Sequence, residues 1–237
     1  MQSVLAVVGL GLAMLALEQA RPARRFDRVA GWWPRATALT GVQAAVALLA
    51  VHTCDRWLPE LALWRVGGYG TLADAAIGYL VLTFIYYWWH RARHQIPFLW
   101  NRLHLLHHSA CRIELLTSFY KHPAEIVGNA LLSALVVYVL LGLSPESAAI
   151  VVTVSGLAEL FYHWNVRTPY WLGFVVQRPE SHCVHHQRGR HTNNFADLPL
   201  WDMLFGTFEN PREAPRKCGF GPQIEQRLPE LLLWRIK

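Results

Sequence analysis

Twelve histidines occur in this chain of 237 residues, and most of them fall in two short runs. HRARHQIPFLWNRLHLLHH, residues 90–108, carries five of them, and SHCVHHQRGRH, residues 181–191, carries four more. His90 and His94 stand four apart, so on a helix their imidazoles share one face. His104, His107 and His108 follow with intervals of three and one, and His182, His185 and His186 repeat that HxxHH arrangement. Imidazoles gathered from several helical faces make a nitrogen-rich metal site, and neutral imidazole suits iron, zinc, copper and nickel. Charged imidazoles at such density would repel one another, and a bound cation is what holds them neutral. These eight histidines, with His163 as a ninth, exceed the three or four ligands of a zinc site. The count favours two ions with open positions. No carboxylate-rich ligand set accompanies them, which argues against the ferritin-like arrangement built on Glu and Glu-x-x-His.

Something must bring these runs together, and the composition says what. The chain is 53% hydrophobic and only 16% charged, with eleven tryptophans, against about 25% charged residues in soluble domains. Its net charge of +6 comes from arginines beside apolar stretches, so it points to a membrane surface and away from nucleic acid. Apolar windows that approach a membrane span lie near 2–19, 36–54, 71–89, 125–143 and 146–163. Gly142, Ser144 and Pro145 turn the last two into a helical hairpin. The first window has no basic residues ahead of it and its arginines follow, so it reads as a retained helix and not a cleaved leader. Arg21, Arg24, Arg25, Arg28 and Arg35 place the first loop in the cytoplasm, and Arg56 and Arg65, offset by Asp55 and Glu60, place the second outside. Threading onward brings both histidine runs, His122 and His163 to the cytoplasmic face and leaves His52 a bilayer away. From 164 onward the chain is too polar to span and reads as a cytoplasmic cap, with Trp171, Phe174, Trp201, Leu204 and Phe205 at the interface. Cys54, Cys111, Cys183 and Cys218 form no CxxC pair, which argues against a disulfide framework or thiolate zinc site.

His90-Arg-Ala-Arg-His94, Leu99-Trp100 and His104-Leu-Leu-His107-His108 together resemble the first half of the fatty acid hydroxylase / sterol desaturase superfamily. His122-Pro-Ala-Glu125 resembles its HPxE element, and Phe161-Tyr-His163-Trp-Asn165 its later single histidine at a helix end. His182-Cys-Val-His185-His186 matches the last histidine box, and Trp201-Asp202-Met-Leu-Phe205-Gly206-Thr207 the WDxxFGT ending. Asn193-Asn194-Phe195 stands where the family often has Asn-Tyr, so the usual tyrosine hydroxyl is missing. The ordered match runs from 74 to 208 and leans toward the alkylglycerol monooxygenase-like branch.

The resemblance implies an all-α integral membrane protein with about four to five spans and a cytoplasmic helical cap holding a dinuclear site. Residues 1–70 would be N-terminal membrane helices and loops, 71–208 the catalytic domain, and 209–237 a tail. The implied metal ligands are His90, His94, His104, His107, His108, His163, His182, His185 and His186. His122, His191, Asn194 and Asp202 are further candidates as ligands or as partners of ligands, with Asp202, Glu159 and Glu125 as acceptors for the second ring nitrogens. The implied cofactor is a pair of non-haem iron ions, used with O₂ and an external electron-donor protein to hydroxylate, or else desaturate, a membrane lipid such as a fatty acyl, sterol or ether lipid chain. The protein would be a multi-pass protein of the bacterial inner membrane. The competing reading is a zinc-binding membrane protein with a hydrolytic or structural role.

Overall fold

A computed structural model describes residues 2–236, and among these no β-strand occurs; a single isolated bridge pairs Gln187 with Cys218. Five longer helices carry the architecture: α1 (Gln2–Ala20), α2 (Trp32–Trp57), α3 (Thr71–Gln95), α6 (Pro123–Ala134) and α7 (Pro145–His163). Between and after them come short helices: α4 (Pro97–Leu99), α5 (Leu105–Ser109), α8 (Pro179–His185), α9 (Pro199–Leu204), α10 (Pro222–Glu225) and α11 (Leu228–Leu232). Three described segments are long and apolar enough to cross a membrane: Trp32–Leu61, Thr71–Gln95 and Pro123–Leu140. Val7–Ala20 is a shorter apolar helix, and α7, which carries Glu146 and Glu159, is not among the three.

Proline punctuates the helices throughout the chain. Six of these helices (α4, α6, α7, α8, α9 and α10) open on a proline, whose fixed φ and missing N–H cost nothing in a first turn. Pro97 also ends α3, since the residue before a proline is pushed out of helical conformation; Ile96 is extended at φ −98, ψ 111. The chain therefore doubles back just after His94. A wide π-type turn over Trp100–His104 then leads into α5, and such turns recur at functional sites.

α3 packs along α7, and α2 along α6. Gly78 permits the first contact: a Cβ there would lie 2.6 Å from Leu143 Cδ1 and 3.0 Å from Val151 Cγ2. The hairpin turn forms as the sequence suggests, with Gly142 at φ 55 and the Ser144 hydroxyl capping α7 at Ser147 N. The C-terminal ends of α3 and α7 and the N-terminal end of α6 consequently meet at one end of the bundle. The arginine-rich first loop lies against the cap there: Ala23 N donates to Asn165 O, and the Arg24 guanidinium to Pro215 O and Cys183 Sγ. His52, on α2, is exposed toward the other end. A wide apolar surface remains uncovered, both on the helices (Leu49, Leu72, Leu131) and on the cap (Trp171, Phe174, Leu204). Soluble monomers rarely leave so much apolar area open.

Candidate metal centre

Nine histidines converge where α3 and α7 end and α6 begins, and they fall into two groups. His90, His94, His104, His108 and His185 form one; His107, His163, His182 and His186 form the other. In each group every residue offers a ligand atom within 4.8 Å of all the others. The His108 and His186 rings stack at 4.1 Å between centroids and join the two groups.

The division cuts across the sequence motifs. His104 and His108 stay together, as do His182 and His186, because residues four apart share a face. The residue between them in each box crosses over: His107 joins the 182/186 pair, and His185 joins the 104/108 pair. Each HxxHH box thus serves both groups.

Proton placement shows what such a cluster requires. In the five-membered group, His90 Nδ1 lies 2.8 Å from Phe195 O, His94 Nδ1 2.9 Å from His191 O and His185 Nδ1 2.7 Å from Asn193 O. A carbonyl oxygen only accepts, so each of these Nδ1 atoms carries the proton and each Nε2 keeps a bare lone pair. His104 Nδ1 donates likewise to the Glu125 carboxylate at 2.9 Å. The Nε2 atoms of His90 and His104 nevertheless approach to 3.0 Å, and those of His104 and His108 to 3.1 Å. Two lone pairs at that distance repel unless a cation lies between them. Protonation is not the remedy: burial, reinforced by the positive charge of Arg93 and by neighbouring imidazoles, pushes His104 far below its ordinary value, and burial lowers His185 to about 3. The Nε2 atoms of His94 and His185 are buried with no protein partner at all.

The second group follows the same logic. His163 Nδ1 donates to Glu159 O at 2.9 Å, and its Nε2 stands 3.0 Å from His182 Nε2, which stands 3.1 Å from His186 Nε2. His182 Nδ1 lies 2.7 Å from Gln177 Nε2; the same amide turned by 180° presents its oxygen to an Nδ1–H, the arrangement that frees Nε2 for a metal. Burial pushes His107, His182 and His186 well below the ordinary value, so all three are neutral and competent to bind metal. A nitrogen about 2.1 Å from a divalent ion lies about 3.0 Å from its neighbour in an octahedral site and about 3.4 Å in a tetrahedral one. The observed separations fit the octahedral edge, and the donor set fits two ions.

Several expected partners take other positions. Glu125 does accept from a clustered imidazole, His104, and is also ion-paired with buried Arg93. Glu159 uses its backbone carbonyl on His163, while its carboxylate pairs with Lys121. Asp202 accepts from the backbone N–H groups of Phe195 and Ala196 and from the Thr207 hydroxyl, and Asn194 bonds Ser181 and Glu209. Both hold the loop that carries the carbonyls. His191 places its carbonyl on His94 and its Nδ1 3.1 Å from His108 Nδ1. His122 belongs to neither group: its Nδ1 caps α6 at Ala124 N, its Nε2 donates to Leu232 O, and its ring stacks on Trp234. Gln177 and the three carbonyls were not foreseen, and no residue type marks a carbonyl in a sequence.

Residues 75–207, the stretch containing all nine histidines, match the fatty acid hydroxylase family. The chain belongs to that family. Among curated relatives of this fatty acid hydroxylase family member, the sphingolipid C4-hydroxylase of Schizosaccharomyces pombe is 32% identical over 134 residues, 54% of this chain and 46% of the relative. The very-long-chain aldehyde decarbonylase GL1-5 of Oryza sativa subsp. indica is 32% identical over 170 residues, 65% of this chain and 26% of that protein. Human alkylglycerol monooxygenase is 30% identical over 140 residues, 57% of this chain and 30% of its own length. The family member described here thus spans less than half the length of each of these relatives. No solved structure matches it.

Proposed function

We propose that the protein is a membrane-bound, O₂-dependent lipid hydroxylase whose nine histidines hold a non-haem di-iron centre at the cytoplasmic face of a bacterial inner membrane. The observation that carries this reading is the pair of adjoining, all-imidazole groups with lone pairs turned inward at octahedral spacing. Tetrahedral zinc, the alternative, would draw on four nitrogens about 3.4 Å apart and would leave one donor of the five-membered group unused.

His90, His94, His104, His108 and His185 would hold one iron, and His107, His163, His182 and His186 the other. Bound there, a redox-active pair supplies the O₂ chemistry that no side chain performs alone. The protein's share is positional. The Nδ1–H bonds to Phe195, His191, Asn193, Glu125 and Glu159 fix tautomer and ring orientation and strengthen the donors. Burial keeps the imidazoles neutral and bulk water away. The aromatic rings of Phe195 and Trp100 wall the five-membered group, at 5.2 Å and 5.0 Å from His94 between centroids. The relatives' names span hydroxylation, monooxygenation and aldehyde decarbonylation; hydroxylation of an acyl, sterol or ether lipid chain is the reading chosen, with electrons from a separate donor protein.

The test is elemental analysis of protein made in iron-replete cells, followed by reductant-dependent O₂ uptake and mass spectrometry of lipid extracts. Two irons per chain and an added oxygen on a lipid are expected, abolished in His107→Ala and His185→Ala. Stoichiometric zinc with no O₂ uptake after iron reconstitution would refute it, and an alkane one carbon shorter than an aldehyde substrate would move the reading to decarbonylation.

A further inference from the structure

The five-membered group draws its ligands from three separate segments, yet one short loop holds three of them. The carbonyls of residues 191, 193 and 195 accept from His94, His185 and His90 respectively. Alternate carbonyls of an extended chain point to one side, but this loop is not extended: His191, Asn193 and Asn194 all have positive φ, 47°, 67° and 52°. Left-handed backbone is costly for residues other than glycine and persists only where the surroundings impose it.

What imposes it here is visible. Asn194 donates through Nδ2 to Ser181 O and Glu209 O, accepts from Glu209 N at Oδ1, and donates its own N–H to Thr207 O, all at 2.8–2.9 Å. Asp202 accepts from Phe195 N at 2.8 Å, from Ala196 N at 3.0 Å and from Thr207 Oγ1 at 2.7 Å. Gly206, at φ 72, makes the tight turn that returns Thr207 to Asp202, whose carbonyl takes the Thr207 N–H. Thr207 Oγ1 is also 3.1 Å from Tyr87 OH, which ties the assembly to α3 three residues before His90. None of these side chains touches the inward-facing nitrogens.

We infer that Asn194, Asp202 and Thr207 form a clamp that fixes the carbonyls of residues 191, 193 and 195 as a template for His94, His185 and His90, and so governs retention of one metal ion independently of the other. This rests on the metal-binding reading above. The second group has its own supports, Gln177 on His182 and the Glu159 carbonyl on His163, and none of them belongs to the clamp. Asn194, Asp202 and Thr207 are therefore positioning residues. The WDxxFGT stretch gains a structural reason: its aspartate, glycine and threonine are the parts of the clamp.

The experiment uses the full chain in lipid nanodiscs, loaded with Fe(II), with ion content measured by elemental analysis and ion release followed on adding excess chromogenic chelator. In Asp202→Asn an amide N–H faces one of the two backbone N–H groups that the carboxylate accepted. Loss of an outer partner of a metal-bound histidine costs about 10–100-fold in affinity. One ion is expected to leave about 10–100-fold faster and the other at the wild-type rate, with Asn194→Gly, which tolerates positive φ but lacks the side-chain bonds, behaving in the same way. Gln177→Leu should instead speed the other ion, and Asp202→Asn/Gln177→Leu should speed both. Gel filtration and circular dichroism confirm that each variant is folded, and Thr207→Val serves as the milder member if Asp202→Asn is not. Wild-type protein that binds no metal would sink the underlying reading. Wild type with two ions, and clamp variants that release both together or neither faster, would overturn this inference alone.

Discussion

Glu125→Gln separates the two things that this carboxylate does. It accepts the Nδ1–H of His104 at 2.9 Å, and it neutralises Arg93, whose side chain is 5% exposed against 0% for Glu125 itself. The amide oxygen of glutamine can still accept from His104 but offers no charge. Weakening this outer partner of a metal-bound histidine costs about 10–100-fold in metal affinity, or about 1.4–2.7 kcal/mol. Leaving Arg93 as an unpaired buried charge costs about 3–5 kcal/mol of fold stability, which lowers the melting temperature by on the order of 10 °C for a chain of this size. Chelator-competition titration and thermal melting of metal-free and loaded protein in detergent measure the two effects separately. The variant should lose affinity for one ion only and melt lower even without metal. Adding Arg93→Met should recover much of the melting temperature but not the affinity, because it removes the stranded charge without restoring the acceptor. A Glu125→Gln protein with wild-type affinity for both ions would refute the assignment of Glu125 to His104, and an unchanged metal-free melt would refute the buried-pair argument.

Three other outcomes follow from the same geometry. His122→Ala should remove an α6 cap, costing about 1 kcal/mol, while leaving metal content and O₂ uptake intact; lost metal would place His122 in the centre after all. Gly78→Val should force α3 from α7, costing about 1–3 kcal/mol from overpacking and lowering activity by displacing His90 from its partners; unchanged melting would show that the two helices have slack. Metal-free protein should lose stability as the pH falls below about 6.5, because burial holds His185 near 3 from an ordinary 6.5, so the unfolded chain takes up protons that the folded one refuses. For His185 alone this amounts to about 2 kcal/mol at about pH 5, and loading with metal should flatten the profile, as equilibrium melts across pH will report.

The helices and the meeting place were legible because the apolar helices are long and proline and glycine mark the turns between them. Spacing also showed that His90 and His94, or His104 and His108, would share a face. It did not show that His107 and His185 cross to opposite groups, since that depends on how α5 and α8 face each other across the site and no local rule sets it. Glu125 was identifiable as a carboxylate acceptor for a candidate ligand, but Asp202 was not distinguishable from it by type, although it acts on the backbone of Phe195. The three template carbonyls were invisible, because a main-chain oxygen has no letter. The two asparagines at 193 and 194, residues that tolerate left-handed backbone, were the only trace of the loop's shape. His122 shows the reverse case, a motif histidine whose visible work is to cap a helix.

The uncovered apolar surface on the helices and on Trp171, Phe174 and Leu204 of the cap has a kinetic consequence. For a lipid substrate, a catalyst seated in a bilayer by such a surface meets its reactant as a component of its own solvent. Encounters then occur by lateral diffusion in two dimensions, and saturation is governed by the mole fraction of substrate among the surrounding lipids, whatever the bulk concentration. Diluting the substrate lipid with an inert one, at constant total lipid, should slow the reaction; diluting the whole suspension with buffer should not.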